Sequence, residues 1–580
     1  MPKARAALER AVPLLLLLAL YWPAVTAWFF QDDFGWLNLH HDVHSVRDLG
    51  VALFAPKAHG NMRPLGENAY WLVLPGIFGA DPLPLHLAAF LTLCTSMLLL
   101  GSIVRRLTQS RLAGFVAQIL WMANIGLAPA LGWSSIYNQV LSGFFFLLAF
   151  YFLLRYDDKG RRADWIAQWA AFVLGLGALE INVVYPALAC TYALLFAPKL
   201  MRKLVPMFAI SALAVWLHFH FAPPASSGVY APATDGRIFS TLWTYWAWVL
   251  GPMPLWLTIL MTAAACLLIA SDLNRRRYAA LLGLAWFLIP LLPYLPLPDH
   301  KMDYYLAVPA IGIAMLGAVA IADSRLPWRI VAGACVIVYL GASIPKSLST
   351  ARWQYARGER MENLVLGVQE VRQSAPQKIV LLEGIDTDTF FSGLADLPFR
   401  ALAIPHVYLS PTGFASIQAP RELLSKYTLP AAIARRSLDS GTALLYRFDG
   451  EMLHRSNDVM PEEDEPRFVN IADDVFRDYL SSGWSDGPRG SRALHGSATV
   501  LIGGPRTAAD HLYIGVFDTH DVPLHVAANG LDLPLDLASR NTDLSEYRAA
   551  LPAAALSWRT MEMTLSAGRA SVLFGYLEVR

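Results

Sequence analysis

Residues 1–37 read MPKARAALERAVPLLLLLALYWPAVTAWFFQDDFGWL. A basic head, with Lys3, Arg5 and Arg10, precedes an apolar run that continues to Phe30. A secretory signal carries an apolar run of about 7–15 residues and then small residues at a cleavage site. Here the run is longer, and Trp22, Pro23 and Trp28 stand where small residues would be needed. The stretch therefore predicts an uncleaved first membrane span with its basic end in the cytoplasm. Asp32 and Asp33 follow directly on its outer end.

The rest of the chain fits that start. It has 580 residues, 55% hydrophobic and only 16% charged, whereas soluble domains carry roughly 25% charge. Repeated apolar stretches of about twenty residues predict a polytopic membrane protein. A net charge of +1 gives no field that would point to nucleic acid. The four cysteines, Cys94, Cys190, Cys266 and Cys335, lie inside apolar runs, so no disulfide framework is expected.

Spans are expected near 11–30, 83–104, 111–130, 137–154, 164–179, 182–198, 203–222, 241–270, 278–296, 304–322 and 328–345. The stretch 241–270 is long, and TLWTYWAWVLGPMP at its start reads as an interfacial piece before the true span. Basic residues test the layout. Arg105, Arg106 and Arg111 share one loop. Arg155, Lys159, Arg161 and Arg162 share the next on that side. Lys199, Arg202 and Lys203, then Arg275, Arg276 and Arg277, then Arg325 and Arg329 follow. With about eleven spans every cluster falls on the side of Lys3, as the positive-inside rule requires. The location expected is the inner (plasma) membrane, with a cytoplasmic N-terminus. The loop 31–82, the 223–240 loop, 297–303 and everything after 346 are then extracytoplasmic.

The fold class expected is a polytopic α-helical membrane domain, 1–346, followed by exported domains. Hydropathy falls after 345. KIVLLEG (378–384) and TALLYRFDG (442–450) read as strands, with helical patterning at 359–373 and 420–436, so 347–459 is expected to be a small α/β domain. An acidic linker, MPEEDEP (460–466), follows. In 467–580, ATVLIGG, LYIGVFD, PLHVAAN, MEMTLS and SVLFGYLEVR alternate between turn residues, the pattern of an antiparallel β-sandwich. The opening YLSSGWSDGPRGSRALHGSATVLIGG resembles jelly-roll modules attached to glycan-active proteins, although a Glu and Trp usual there are missing. Carbohydrate binding and a purely structural lid both remain open.

Polar residues at the outer ends of spans are costly unless used or satisfied. Asp32 and Asp33 are adjacent, so on a helix they point about 100° apart and cannot share a face. The pair reads either as an acidic helix N-terminus or as a reactive centre. Arg63 before Pro64 offers a planar fork suited to phosphate, or a partner for an acid. Glu180 could orient an acceptor or pair with Arg63. In PDHKMDYY, His300 and Lys301 are candidate phosphate ligands, or ordinary loop residues. His40 and His44, with Asp42 between, have metal-compatible spacing but no third ligand, so no metal is expected; an interfacial helix suits HHDVH better. The Pro-, Ser- and Gly-rich loop 223–240 reads as a flexible cover.

These features resemble the GT-C glycosyltransferases in their order: an Asp pair after the first span, RPL at 63–65, and FGADPLPLH (78–86) before the next span. GWSSIYNQ (132–139), with Tyr137, is similar to the second outer loop. LEINVVYPAL (179–188) is similar to the Lys-Glu-then-Pro segment and retains Glu180. DYYLAVPAIGIAML (303–316) is similar to Glu-Arg-Tyr-Leu-Tyr-Leu-Pro, with Tyr304 in place of the Arg. The resemblance covers about residues 10–365. It implies a polyprenyl-phosphate-linked sugar as donor, a glycan, lipid or protein acceptor, and membrane lipid around the protein; no cofactor is expected, because a histidine- and cysteine-poor composition leaves little room for a metal cluster. It implies Asp32 as general base with inversion, Asp33 as its support, Arg63, His300, Lys301 and Tyr304 near the donor phosphate, and Glu180 and Tyr137 orienting the acceptor. A non-catalytic membrane protein whose exported domains bind glycans or partners is the alternative.

Overall fold

The computed structural model describes all residues except 1, 38, 40–42, 57–60, 225–227, 324–325, 463–464, 482, 488–490, 518–523, 541–543 and 568–571, and omits the side chains of 2–10, 323, 326–327, 414–415 and 421–422. His40 and Asp42 of the HHDVH stretch thus lie outside the described residues. The chain divides into two compact units, Met1–Glu359 and Arg360–Arg580.

The first unit is helical: α1 (Pro2–Val25), α2 (Asp33–Leu37), α3 (Val46–Phe54), α4 (Tyr70–Phe78), α5 (Leu83–Thr108), α6 (Arg111–Met122), α7 (Leu127–Gly132), α8 (Tyr137–Lys159), α9 (Arg162–Leu176), α10 (Tyr185–Phe196), α11 (Met201–Leu204), α12 (Pro206–Phe221), α13 (Arg237–Leu250), α14 (Leu255–Asn274), α15 (Ala279–Leu291), α16 (Ala310–Asp323) and α17 (Leu326–Ser374), which continues from Arg360 into the second unit and so joins the span expected at 328–345 to the helix expected at 359–373. Four described helices are long and apolar enough to cross a membrane alone: Leu83–Thr108, Ser134–Lys159, Leu255–Asn274 and Trp328–Ser374. Pro198–Leu204 and Pro206–Phe221 make a further span if taken as one pair, bent by 40°. Shorter apolar helices occupy Ala11–Val25, Arg111–Met122, Glu180–Phe196, Ala279–Tyr294 and Ala310–Ala322.

Two expected spans are corrected and a third divides as expected, each for a local reason. The stretch 11–30 stops being helical at Val25: Pro23 lies in the last turn and the backbone already departs from helix at Tyr21. The stretch 111–130 is two helices. Between them the Asn124 side chain accepts from Gly126 N at 3.0 Å and donates to Val249 O and Tyr339 Oη, replacing helical bonds. The stretch 241–270 breaks at Gly251, whose φ of 100° no ordinary helix residue adopts, and at Pro252 and Pro254. The Trp-rich α13 is thereby separated from the apolar α14, as its composition predicts.

The centre of the bundle is α5, α6, α8, α15 and α16, packed side by side. At the α15–α16 crossing a Cβ on Gly312 would stand 2.3 Å from Gly283 O, so the two backbones approach as only glycine allows. Trp286, Phe146, Phe150 and Tyr185 fill the space beside them and are fully buried. Little else in the outer layer is shut in: α14 keeps Leu255, Trp256, Ile259 and Leu260 exposed, the surface expected of a lipid-facing helix.

The second unit holds β1 (Ile379–Glu383), β2 (Val407–Leu409), β3 (Ala443–Phe448) and β4 (Leu453–Arg455), in the order β2-β1-β3-β4. The first three are parallel and β4 is antiparallel to β3. The expected helix over 420–436 is corrected to two pieces, Arg421–Leu424 and Ala431–Asp439. Pro430 separates them, and Thr428 leaves the helix to bridge Leu409. The remainder is β-rich: β5 (Phe468–Asn470), β6 (Trp484–Asp486), β7 (Arg492–Leu494), β8 (Ser497–Gly503), β9 (His511–Val516), β10 (Leu524–Ala528), β11 (Leu531–Leu533), β12 (Asp536–Arg540), β13 (Ser545–Ala550), β14 (Thr560–Ala567) and β15 (Val572–Val579). They form one antiparallel sheet ordered β11-β10-β14-β8 and another ordered β12-β13-β9-β15-β7-β6, with β5 also on β15. Alternate residues of both sheets, such as Val500, Met563, Ile514 and Leu577, enter one apolar core that also takes in Leu381 and Leu445 of the parallel sheet.

Candidate active site

The chain turns the corner after α1 at Gln31, whose φ is 53°. Aromatic side chains fix that corner. Phe29 and Phe30 are fully buried; Phe29 packs on Phe34 and Trp71, and Phe30 stacks on Trp133 at 6.0 Å between ring centroids. His86, buried at the start of α5, has its ring nitrogens 3.0 Å from Ala27 O and 2.9 Å from Leu131 O. It thereby ties the corner to the end of α7. A few residues further on, the same two segments meet again. Ser135 donates from its backbone N at 2.9 Å and from its hydroxyl at 2.6 Å to Asp33 Oδ1, and Phe30 N donates to Oδ2.

The two acids are consequently unlike. Asp33 is 1% exposed. Burial pushes its pKa up to about 8, with the bonds from Ser135 and Phe30 working the other way and the neighbouring Asp32 charge adding to the rise. The Asp32 backbone carbonyl accepts from Trp36 N at 3.0 Å and so opens α2, while its carboxylate is exposed and makes no side-chain hydrogen bond or ion pair among the described residues. The protein mass around its recess still raises its pKa by desolvation. Tyr230, from the loop after α12, lies within electrostatic reach of both Asp32 and Arg63.

Arg63 reaches the recess through an unusual local fold. Residues Pro64–Ala69 form a π-helical turn, with Asn68 N donating to Arg63 O. That turn docks on the loop after α9: Leu65 N and Gly66 N both donate to Gly177 O, and a Cβ on Gly66 would stand 2.2 Å from Ala178 O. The docking brings Arg63 Nε to 2.9 Å from both Glu180 oxygens, while its other arm binds Glu67. Glu67 also accepts from Asn138 Nδ2 at 2.6 Å. Burial raises the Glu67 pKa, opposed by the Arg63 charge. The guanidinium is therefore shared between two carboxylates and is not a free cation.

The wall facing Tyr230 is aromatic. His300 lies 4.3 Å from the Tyr230 ring and 6.0 Å from Tyr305. Tyr305 stacks on Tyr294 at 3.9 Å, and Tyr304 stands edge-on to Trp133. Lys301 turns its ammonium to Pro298 O at 2.5 Å. Lys346 of α17 is exposed, in no described ion pair, and its charge reaches Asp303. Tyr137 is buried, stacked on Tyr70 at 4.2 Å with its hydroxyl 3.2 Å from Thr92 Oγ1. Among the described residues there is no group of three or more His, Cys, Asp or Glu that could hold a metal.

Sequence reasoning brings Asp32, Asp33, Arg63, Glu180, His300 and Tyr304 to one face, but misses Glu67, Ser135, Asn138, Tyr230, Tyr294, Tyr305 and Lys346. For Glu67 a signal exists, since it stands four residues after Arg63, ordinary ion-pair spacing on a helix. Ser135 pairs with Asp33 across 102 residues, and no local pattern announces that.

No protein-family model matches the chain, and no curated protein matches it. Solved structures do. ArnT from Cupriavidus metallidurans bound to undecaprenyl phosphate matches with 12% identity and a TM-score of 0.44, over 77% of this chain and 94% of that one. The Archaeoglobus fulgidus oligosaccharyltransferase tethered with an acceptor peptide matches with 10% identity and a TM-score of 0.44, over 97% of this chain and 96% of that one. Arabinosyltransferase EmbB from Mycobacterium smegmatis matches with 10% identity and a TM-score of 0.30, over 99% of this chain and 64% of that one. All three are GT-C superfamily glycosyltransferases. These values are too low to transfer a residue role or an activity to this chain.

Proposed function

We infer that the protein is an integral membrane glycosyltransferase that moves a sugar from a polyprenyl-phosphate carrier to an acceptor hydroxyl on the extracytoplasmic face. The observation that carries this reading is the open Asp32 carboxylate, unpaired among the described residues, beside the shut Asp33, in a recess where Arg63 holds Glu67 and Glu180. The order of the DD, RPL, LEIN and DYYL segments along the chain supports it. Asp32 takes the proton of the acceptor hydroxyl as its oxygen attacks the anomeric carbon. The bond from that carbon to the carrier phosphate breaks, its electron pair stays on the phosphate, and the configuration inverts. Asp33 holds α2 in place. His300, Tyr304 and Lys301, from one loop, face the leaving phosphate. Arg63, held between Glu67 and Glu180, offsets their charge beside the leaving phosphate, and its partner Glu180 orients the acceptor, with Tyr137 supporting that wall from behind. The scheme needs no metal or cofactor.

In the same reading the helices make eleven crossings, the N-terminus is cytoplasmic, the tail is exported, and the two antiparallel sheets form a sandwich that serves either as a carbohydrate-binding module or as a structural lid. The acceptor is a lipid-linked glycan, an envelope polysaccharide or a protein. Mass spectrometry of surface glycans from cells carrying wild type or Asp32→Asn tests this: a loss of one sugar unit is expected in the variant, and identical glycans contradict it. One observation favours the non-catalytic alternative, the engagement of Arg63 by two carboxylates where a free cation would serve a phosphate; the same comparison separates the two.

A further inference from the structure

Away from Asp32, α6, α13, α14, α16 and α17 line a half-open cavity of about 420 Å³. Leu268 of α14, Gly317 of α16 and Val331 and Tyr339 of α17 line it, and Asp272 and Arg275 stand at one end. The two helices that flank it present apolar side chains to the outside: Leu260 is 58% exposed and Ile337 72%. Water gains nothing in a space of this chemistry, whereas a hydrocarbon chain entering from the bilayer does. The end at Arg275 differs from the rest. Arg275, Arg276 and Arg277 follow directly on α14, and all three are exposed.

We propose that this cavity binds an anionic phospholipid, with an acyl chain laid along α14 and the phosphate at Arg275 and Arg276. Charge complementarity selects the occupant. Basic groups between or beside spans hold anionic headgroups, and each arginine near the surface contributes roughly fivefold in affinity. Asp272 is buried at the same end, so the headgroup rests outward of it, against the exposed guanidiniums. The arginines belong to the set of basic clusters that the sequence gathers on one side of the membrane, the side on which anionic lipids concentrate. The inference does not depend on the proposed glycosyl transfer.

The test uses the full-length protein, delipidated in a neutral detergent and offered equal amounts of phosphatidylglycerol and phosphatidylcholine with the same acyl chains. Native mass spectrometry counts the lipid retained. Wild type is expected to retain phosphatidylglycerol about tenfold or more over phosphatidylcholine. R275Q/R276Q is expected to bring the ratio close to parity, and Ala265→Phe, which fills the cavity, to lower retention of both. Equal retention by wild type, or an undiminished preference in R275Q/R276Q, overturns the proposal. The arginine variant changes only exposed side chains, so the comparison stands even if the cavity-filling variant does not fold.

Discussion

Between Asp32 and Asp33, adjacent in sequence, the fold makes one carboxyl structural and leaves the other open. Burial raises the Asp33 pKa to about 8, above its ordinary 3.8. The folded state therefore holds a proton that the unfolded state has released. The stability this contributes is complete below about pH 4 and is lost as pH rises through about 8. Thermal denaturation should show wild type losing stability across pH 4–8 more steeply than Asp33→Asn, by up to ~1.4 kcal/mol per pH unit. Parallel curves for the two proteins would contradict it. At Asp32 the upward shift acts on rate: a base is lost as pH falls through its pKa, so the acid limb of kcat/KM should lie above the usual carboxylate range. Arg63 gives the third expectation. Arg63→Ala strands Glu67 and Glu180 together and should cost about 3 kcal/mol in chemical denaturation. Arg63→Lys, which keeps the charge and loses the fork, should recover only part of that. The Arg63–Glu180 pair was among the expectations from sequence, whereas the burial of one acid and the openness of the other were not. Asp32 and Asp33 have the same neighbours, and what separates them is Ser135, brought in by the fold from the loop after α7.

Among the elements, the π-helical turn after Arg63 is the one on which the site depends. Its docking against Gly177 and Ala178 is a backbone approach, and Gly66 is where that approach is closest. Gly66→Ala puts a methyl group into Ala178 O and should cost about 1–3 kcal/mol in Tm-derived stability while weakening the Arg63–Glu180 pair. Gly35→Ala in α2, where nothing lies within 4 Å of the added Cβ, should be neutral or slightly stabilising. Equal effects at the two positions would contradict the close approach. Apolar length made α5, α8, α14 and the first part of α17 legible, and the Trp-rich composition of TLWTYWAWVLGPMP made the separation of α13 from α14 legible. Alternation likewise announced β8, β9, β14 and β15. The break between α6 and α7 was not, because Asn124 finds its partners on α13 and α17. Nor was the π-turn, whose stability comes from a loop more than a hundred residues away.

For the whole molecule the decisive question is which face of the membrane carries the Asp32 recess and the second unit. In a variant lacking the four native cysteines, a single cysteine at Ser440 should react with an impermeant maleimide in intact cells, and one at Arg162 only after lysis. The reverse pattern would contradict the topology read from the basic clusters. With the topology in place, the central claim is chemical. Purified wild type and Asp32→Asn, matched for thermal stability, are given a polyprenyl-phosphate sugar and the acceptor fraction from cells lacking the protein, and the release of free polyprenyl phosphate is followed. The expected result is transfer by wild type and a loss of about 10²–10⁴-fold in Asp32→Asn. Turnover by Asp32→Asn at the wild-type rate would contradict the assignment of Asp32 as the base.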